Sequence, residues 1–152
     1  MPSRRYMLWV LCSIVLLAGK PLVADETANR ANAEELKKFQ GSWVFSSGEL
    51  GGESIADVLK SWTVEVQGNK WKATLDGKRE DDEEIELNPV KNPKEIDLVT
   101  VDAKGNRHVE RAIYVFEGTT LKLCFNNPDK PRPVDFSTAG KTTHMLMVLK
   151  RK

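Results

Sequence analysis

Short segments in which apolar and polar residues alternate follow one another along most of the chain. Apolar residues occupy every second position of segments 62–66 and 71–75, for example. A period of two places one set of side chains on each face of a strand. The dipeptides Gly68-Asn69 and Asp76-Gly77 that separate these segments from their neighbours are typical of two-residue hairpin turns. The pattern therefore predicts antiparallel strands that follow one another directly.

Eight or nine such strands are predicted, over residues 42–46, 62–66, 71–75, 84–88, 96–100, 107–116, 121–125, 134–137 and 143–150. Their regular spacing favours an antiparallel sandwich or barrel. A closed barrel has no exposed strand edges, so we predict an all-β, up-and-down antiparallel barrel, with an open sandwich as the alternative. A short N-terminal helix is expected to end at Gly41, and a second short helix is expected at 54–59, after the first strand.

The first 24 residues differ from the rest. Arg4 and Arg5 precede an apolar run from Leu8 to Ala18, and Ala24 offers a small residue at a cleavage point. These are the features of a secretory signal peptide, with an uncleaved N-terminal anchor as the alternative. We therefore predict a signal peptide over residues 1–24, a linker over 25–34 and a barrel domain over 35–152. The protein is expected to be exported, to the periplasm, the cell envelope or the medium.

Charge and cysteine content restrict the possible functions. Removal of residues 1–24 reduces the 23 basic side chains to 20, against 22 acidic ones, which gives a formal net charge of −2. A nearly neutral chain of mixed charge has no extended field with which to hold nucleic acid. Cys124 is the only cysteine left after cleavage, so the fold is expected to lack an internal disulfide.

Gly41-Ser42-Trp43, at the start of the first strand, resembles the G-x-W motif of lipocalins and related barrels. Residues 36–151 are also similar to a lipocalin-like domain family of unknown function that is expanded in Planctomycetes-type bacteria. The segments that carry this second resemblance are 36–43, 95–98, 113–114, 118–124, 130–137 and 146–151. The resemblance implies a barrel in which Trp43 plugs one end and Arg151, or failing that Lys150, lies over its ring. It implies no catalytic residues.

The residues that most often carry chemistry are poorly placed for it. His108 and His144 lack metal-ligand spacing to each other and to Cys124, and Cys124 has no neighbouring base, so it is expected to be a packed strand residue. The acidic run Glu80–Glu84 is expected to form a solvated hairpin leg rather than a calcium site. We therefore expect no enzymatic activity, no cofactor and no metal site.

The aromatic residues on the predicted inner faces remain as candidates for binding. Trp62, Trp71, Tyr114 and Phe116 are predicted to line a site for a small hydrophobic molecule, although a barrel filled by its own side chains is the alternative. A filled barrel would instead serve as an interaction module that binds an envelope protein through residues 126–133 or a strand edge. A third alternative is a hydrolase or isomerase. The protein is expected to be a monomer without a membrane span after signal cleavage.

Overall fold

The computed structural model describes residues 22–128 and 130–152, apart from the side chains of residues 22–25, 80 and 81. The predicted signal peptide therefore lies almost entirely outside the described residues. In chain order, the elements are α1 (Leu22–Phe39), β1 (Gly41–Leu50), β2 (Glu53–Ser54), α2 (Ala56–Leu59), β3 (Trp62–Gln67), β4 (Lys70–Leu75), β5 (Lys78–Asn88), β6 (Lys94–Val101), β7 (Arg107–Glu117), β8 (Thr120–Phe125) and β9 (Met145–Arg151).

The strands form a closed antiparallel barrel. From β4 to β9 each strand pairs with the one before it in sequence, and β1 pairs with both β3 and β9. The closing pairing runs from Trp43 opposite Arg151 to Leu50 opposite Met145. β2 pairs only with β1, so the barrel itself has eight strands. This confirms the predicted barrel and excludes the open sandwich.

Turn residues fix the register between neighbouring strands. Asp76 and Gly77 link β4 to β5 with φ angles of 48° and 78°. Two successive positive φ angles are the geometry of a type I′ turn, whose twist matches that of the strands it joins. The amide of Asp76 also donates to the carbonyl of Ser61. The hairpin predicted from the dipeptide is therefore present.

Four segments differ from their predicted structure. The helix α1 begins at Leu22, so it includes the predicted linker. β1 continues to Leu50, beyond the predicted strand over 42–46, and forms a hairpin with β2. β5 begins at Lys78 rather than at residue 84, because the acidic run pairs with the basic strand β4, as in the ion pair of Lys70 with Glu84. Residues 134–137 form no strand.

The helix α1 closes one end of the barrel. Phe39, in its last turn, is fully buried and packs with the interior side chains. Gln40 joins this end to the β3–β4 turn, since its side chain both donates to the carbonyl of Gly68 and accepts from the amide of Gly68. We call this end the closed end, and the end that carries α2 and the β1–β2 hairpin the open end.

The connection between β8 and β9 covers part of the outer face. Arg132 donates from Nη1 to the carbonyl oxygens of Ile96 (3.0 Å) and Ala112 (2.6 Å). Its Nη2 lies 2.6 Å from Oδ1 of Asp97, and its Nε lies 3.7 Å from Oε1 of Glu95. The guanidinium therefore anchors this connection on β6 and β7.

Among the residues that the structure describes, neither helix combines the length and the apolar content needed to cross a bilayer.

Replacing Arg132 with Ala is expected to lower the free energy of unfolding by about 2 kcal/mol, because two carboxylates and two carbonyl oxygens lose a shared donor. Urea denaturation followed by tryptophan fluorescence measures the loss. The matched control is Arg107→Ala, which removes an exposed pair with Glu86 and is expected to cost less than about 1 kcal/mol. Equal losses in the two variants would show that Arg132 is not an anchor.

Candidate ligand cavity

A cavity of about 510 Å³ lies inside the barrel at its open end. This volume falls within the range of sites that hold small molecules. Thirteen of the lining residues are apolar and two are acidic: Phe45, Leu50, Ile55, Val58, Leu59, Trp62, Val64, Trp71, Ala73, Leu98, Phe125, Met145 and Met147, with Glu83 and Glu110. The surface of the cavity is therefore mostly apolar.

The helix α2 covers part of the open end. The amide of Ile55 donates to the carbonyl of Gly48 (2.9 Å), and the amide of Leu59 donates to the carbonyl of Ile55 (3.2 Å). A Cβ atom on Gly48 would overlap the side chain of Leu59, so α2 rests directly on the backbone of β1. Leu59 is buried, whereas Val58 is 67% exposed at the rim. The element that covers this part of the cavity is thus one short helical turn, which packs on Gly48.

The two predicted tryptophans lie in the cavity wall. Trp71 is buried on β4, and Trp62 is half-buried at the start of β3, next to α2. Both border the cavity. Trp62 lies at the open end because β3 begins there, whereas Trp71 lies near the start of β4, opposite Val66, and borders the cavity from deeper in the barrel.

Tyr114 and Phe116 do not border the cavity, and the interpretation of these two residues has to be corrected. β7 runs towards the closed end, so its last inner positions lie beneath α1. There the rings of Tyr114 and Phe116 lie 5.1 and 4.9 Å, centroid to centroid, from the ring of Phe39, both edge to face. Such contacts add to the hydrophobic stabilisation of the closed end. Both residues fill the barrel instead of lining its cavity.

Trp43 and Arg151 meet at the closed end. The two residues are direct partners across β1 and β9, and the Arg151 guanidinium carbon lies 4.5 Å from the centroid of the Trp43 ring. The Trp43 indole donates to the carbonyl of Phe39 (2.7 Å). Arg151 donates to the carbonyls of Gln40 (2.5 Å) and Lys38 (2.7 Å), at the end of α1. It thereby satisfies carbonyls that a helix C-terminus leaves unpaired.

A buried carboxylate also supports the closed end. Glu35 is 6% exposed and accepts hydrogen bonds from Lys38 (2.8 Å) and from Lys94 (2.7 Å) on β6. Burial acts to raise the pKa of Glu35, but the two lysines outweigh it and hold the pKa below its ordinary value of 4.5. Burial, together with the nearby Glu35 carboxylate, raises the pKa of Tyr114, which therefore stays a neutral phenol. These groups hold α1 against the barrel.

The remaining candidates from the sequence lie outside the cavity. Cys124 is fully buried in β8, and burial raises the pKa of its thiol to about 11, with Lys141 opposing and Asp135 adding to the shift. A protonated, buried thiol is a poor nucleophile. His108 is exposed, and its Nε2 lies 3.3 Å from the Asp102 carboxylate. No group of three potential metal ligands occurs among the described side chains.

Two cavity residues were missed in the sequence analysis. Glu83 shares a face of β5 with the buried Ile85, and Glu110 shares a face of β7 with the buried Ala112. Counting by two from these apolar residues would have placed both glutamates inside. The acidic run over residues 80–84 concealed the inward position of Glu83, because such a run normally forms a solvated face.

Replacing Glu35 with Gln is expected to cost about 1–2 kcal/mol of unfolding free energy at pH 7. Because the folded pKa lies below 4.5, the carboxylate stabilises the fold fully above about pH 4.5, and this stabilisation is lost as the pH falls through the folded value. The difference between the variant and the wild type should therefore shrink in acid, as measured by urea denaturation between pH 7 and pH 3.

The control for this experiment is Glu34→Gln. Glu34 is exposed and forms an ion pair with the exposed Arg30, so its replacement should change stability little at any pH. A Glu35→Gln variant whose loss stays constant down to pH 3 would show that the paired carboxylate is not the origin of the effect.

Comparison of the chain with protein-family models, with curated proteins and with solved structures gives no match.

Proposed function

We propose that the protein binds a small, mostly hydrophobic molecule in the cavity at the open end of the barrel, and that it does so as an exported monomer. The observation that carries this proposal is the contrast between the two ends of one interior. The closed end is filled by packed aromatic rings, whereas the open end contains a cavity of about 510 Å³ lined mostly by apolar side chains. A fold stabilised only by its own packing gains nothing from such a void.

The affinity would come mainly from burial of apolar surface. Removal of apolar surface from water contributes about 25 cal/mol per Å², before the cost of ordering the ligand is subtracted. Trp62 and Trp71 supply broad rigid surfaces, while Met145 and Met147 supply flexible ones that adapt to the shape of a ligand.

Export is supported by the apolar run from Leu8 to Ala18 behind two arginines. The interaction module is the alternative function. Its candidate contact, the connection that contains residues 126–133, is anchored by Arg132, and closure of the barrel pairs both edges of β1 and β9. We therefore favour the interior over these outer surfaces as the binding site.

The test uses N-phenyl-1-naphthylamine, a neutral apolar dye whose fluorescence rises when it leaves water. Saturable binding with a dissociation constant in the micromolar range, about −8 kcal/mol, is expected for the purified protein. Ala73→Phe places a ring in the cavity wall and should weaken binding at least about tenfold.

The matched control is Ala103→Phe, which adds the same ring at an exposed position of the β6–β7 hairpin and should leave dye binding unchanged. An affinity that is the same in both variants would place the dye outside the cavity. Absence of saturable binding to the wild-type protein would contradict the proposed function and favour the interaction module.

A further inference from the structure

The cavity ends at Trp71 on the side of the barrel formed by β3 and β4. Among the cavity residues of these two strands, Trp71 lies nearest the closed end. Its direct partner on β3, Val66, is buried and does not border the cavity. The indole of Trp71 therefore lies at the boundary between the cavity and the packed interior. We call this boundary the floor of the cavity.

The interior beneath the floor is already filled by side chains. The rings of Phe39, Tyr114 and Phe116 pack edge to face against one another. Leu121 and Leu149 are fully buried in the same core cluster. None of these five residues borders the cavity. Because a close-packed interior admits additional atoms only at the cost of strain, a ligand cannot extend past the floor.

Small side chains make room between two indoles. Trp62 begins β3 at the open end, and Trp71 lies opposite Val66, four positions further along β3. Between the two tryptophans, Val64 and Ala73 face each other across β3 and β4, and both border the cavity. A rise of about 3.3 Å per residue makes this interval roughly 13 Å along the strand. The interval is the length available to a ligand between the open end and the floor.

From this depth we infer that the ligand is an apolar molecule of medium length, equal to an extended chain of about ten carbon atoms, and that one apolar end rests against Trp71. This inference rests on the proposed function, because it concerns the same cavity. It adds the length of the ligand and the residue that limits it. A long-chain lipid would leave the rest of its chain in water, where further methylene groups contribute little to affinity.

The experiment measures the binding of 1-hexanol, 1-octanol, 1-decanol and 1-dodecanol to the purified protein by isothermal titration calorimetry. The alcohols share a neutral head group and differ only in chain length. Each methylene group that becomes buried should tighten binding about fourfold. We expect this gain up to 1-decanol, and a change of less than about twofold from 1-decanol to 1-dodecanol, because the additional carbons lie outside the cavity.

Variants test whether Trp71 sets the limit. Trp71→Leu opens space at the floor, so 1-dodecanol should then bind about tenfold more tightly than 1-decanol. The matched control, Trp62→Leu, makes the same change at the open end and should weaken binding of all the alcohols while leaving the limit at 1-decanol. Ala73→Phe adds a ring above the floor and removes no buried ring, so it should move the limit to a shorter alcohol. This variant tests the same claim if Trp71→Leu does not fold.

The outcomes separate the two claims. A gain that continues undiminished from 1-decanol to 1-dodecanol in the wild-type protein would overturn the inferred length and leave the proposed function intact. A limit that stays at 1-decanol in a folded Trp71→Leu variant, or in the Ala73→Phe variant, would overturn the role of Trp71. Absence of alcohol binding by a protein that binds N-phenyl-1-naphthylamine would overturn the inference alone. Absence of binding by the alcohols and the dye would overturn the proposed function as well.

Discussion

Closure of the sheet by the pairing of β1 with β9 is the constraint on which the rest of the structure depends. The pairing includes all of β9 and runs from Trp43 to Leu50 of β1, with a register shift between Phe45 and Ser47, and the amide of Lys152 adds a hydrogen bond to the carbonyl of Ser42. Because of this pairing, neither strand presents an unpaired edge. Closure also creates an interior that is separate from solvent. An open sandwich built from the same strands would place the same apolar residues between two layers and would enclose no lumen.

The two ends of the barrel interior are packed differently, and the difference can be traced to single residues. At the closed end the chain supplies Phe39, Trp43, Tyr114 and Phe116, whose rings occupy the space beneath α1. At the open end, Ala73 lies in the cavity wall and Gly48 lies beneath α2. A larger side chain at position 73 would occupy the lumen, and one at position 48 would displace α2. The cavity is thus a consequence of where the large and small residues lie along the strands.

The sequence predicted the faces of the strands well and the depth of each residue poorly. A period of two identifies which side chains point inward, so Trp62, Trp71, Tyr114 and Phe116 were all correctly placed inside. It does not show how far along the barrel each side chain lies, and this distance decides between cavity wall and packed core.

The hairpins were predictable because their turns require particular residues, such as Asp76-Gly77. The length of α1 was not, since the segment before Asn32 is polar and its helix carries few apolar residues. The inward position of Glu83 was also missed, because it depends on the full length of β5, and the acidic run favoured a solvated segment over a strand.

The most direct test of binding at the open end is an NMR titration that follows the indole N–H signals of Trp43, Trp62 and Trp71 on addition of 1-octanol. Trp62 and Trp71 border the cavity, whereas Trp43 lies at the closed end and serves as an internal control. The account predicts saturable shifts of the Trp62 and Trp71 signals and an unchanged Trp43 signal. Shifts confined to Trp43, or no saturable shift of any of the three, would contradict it.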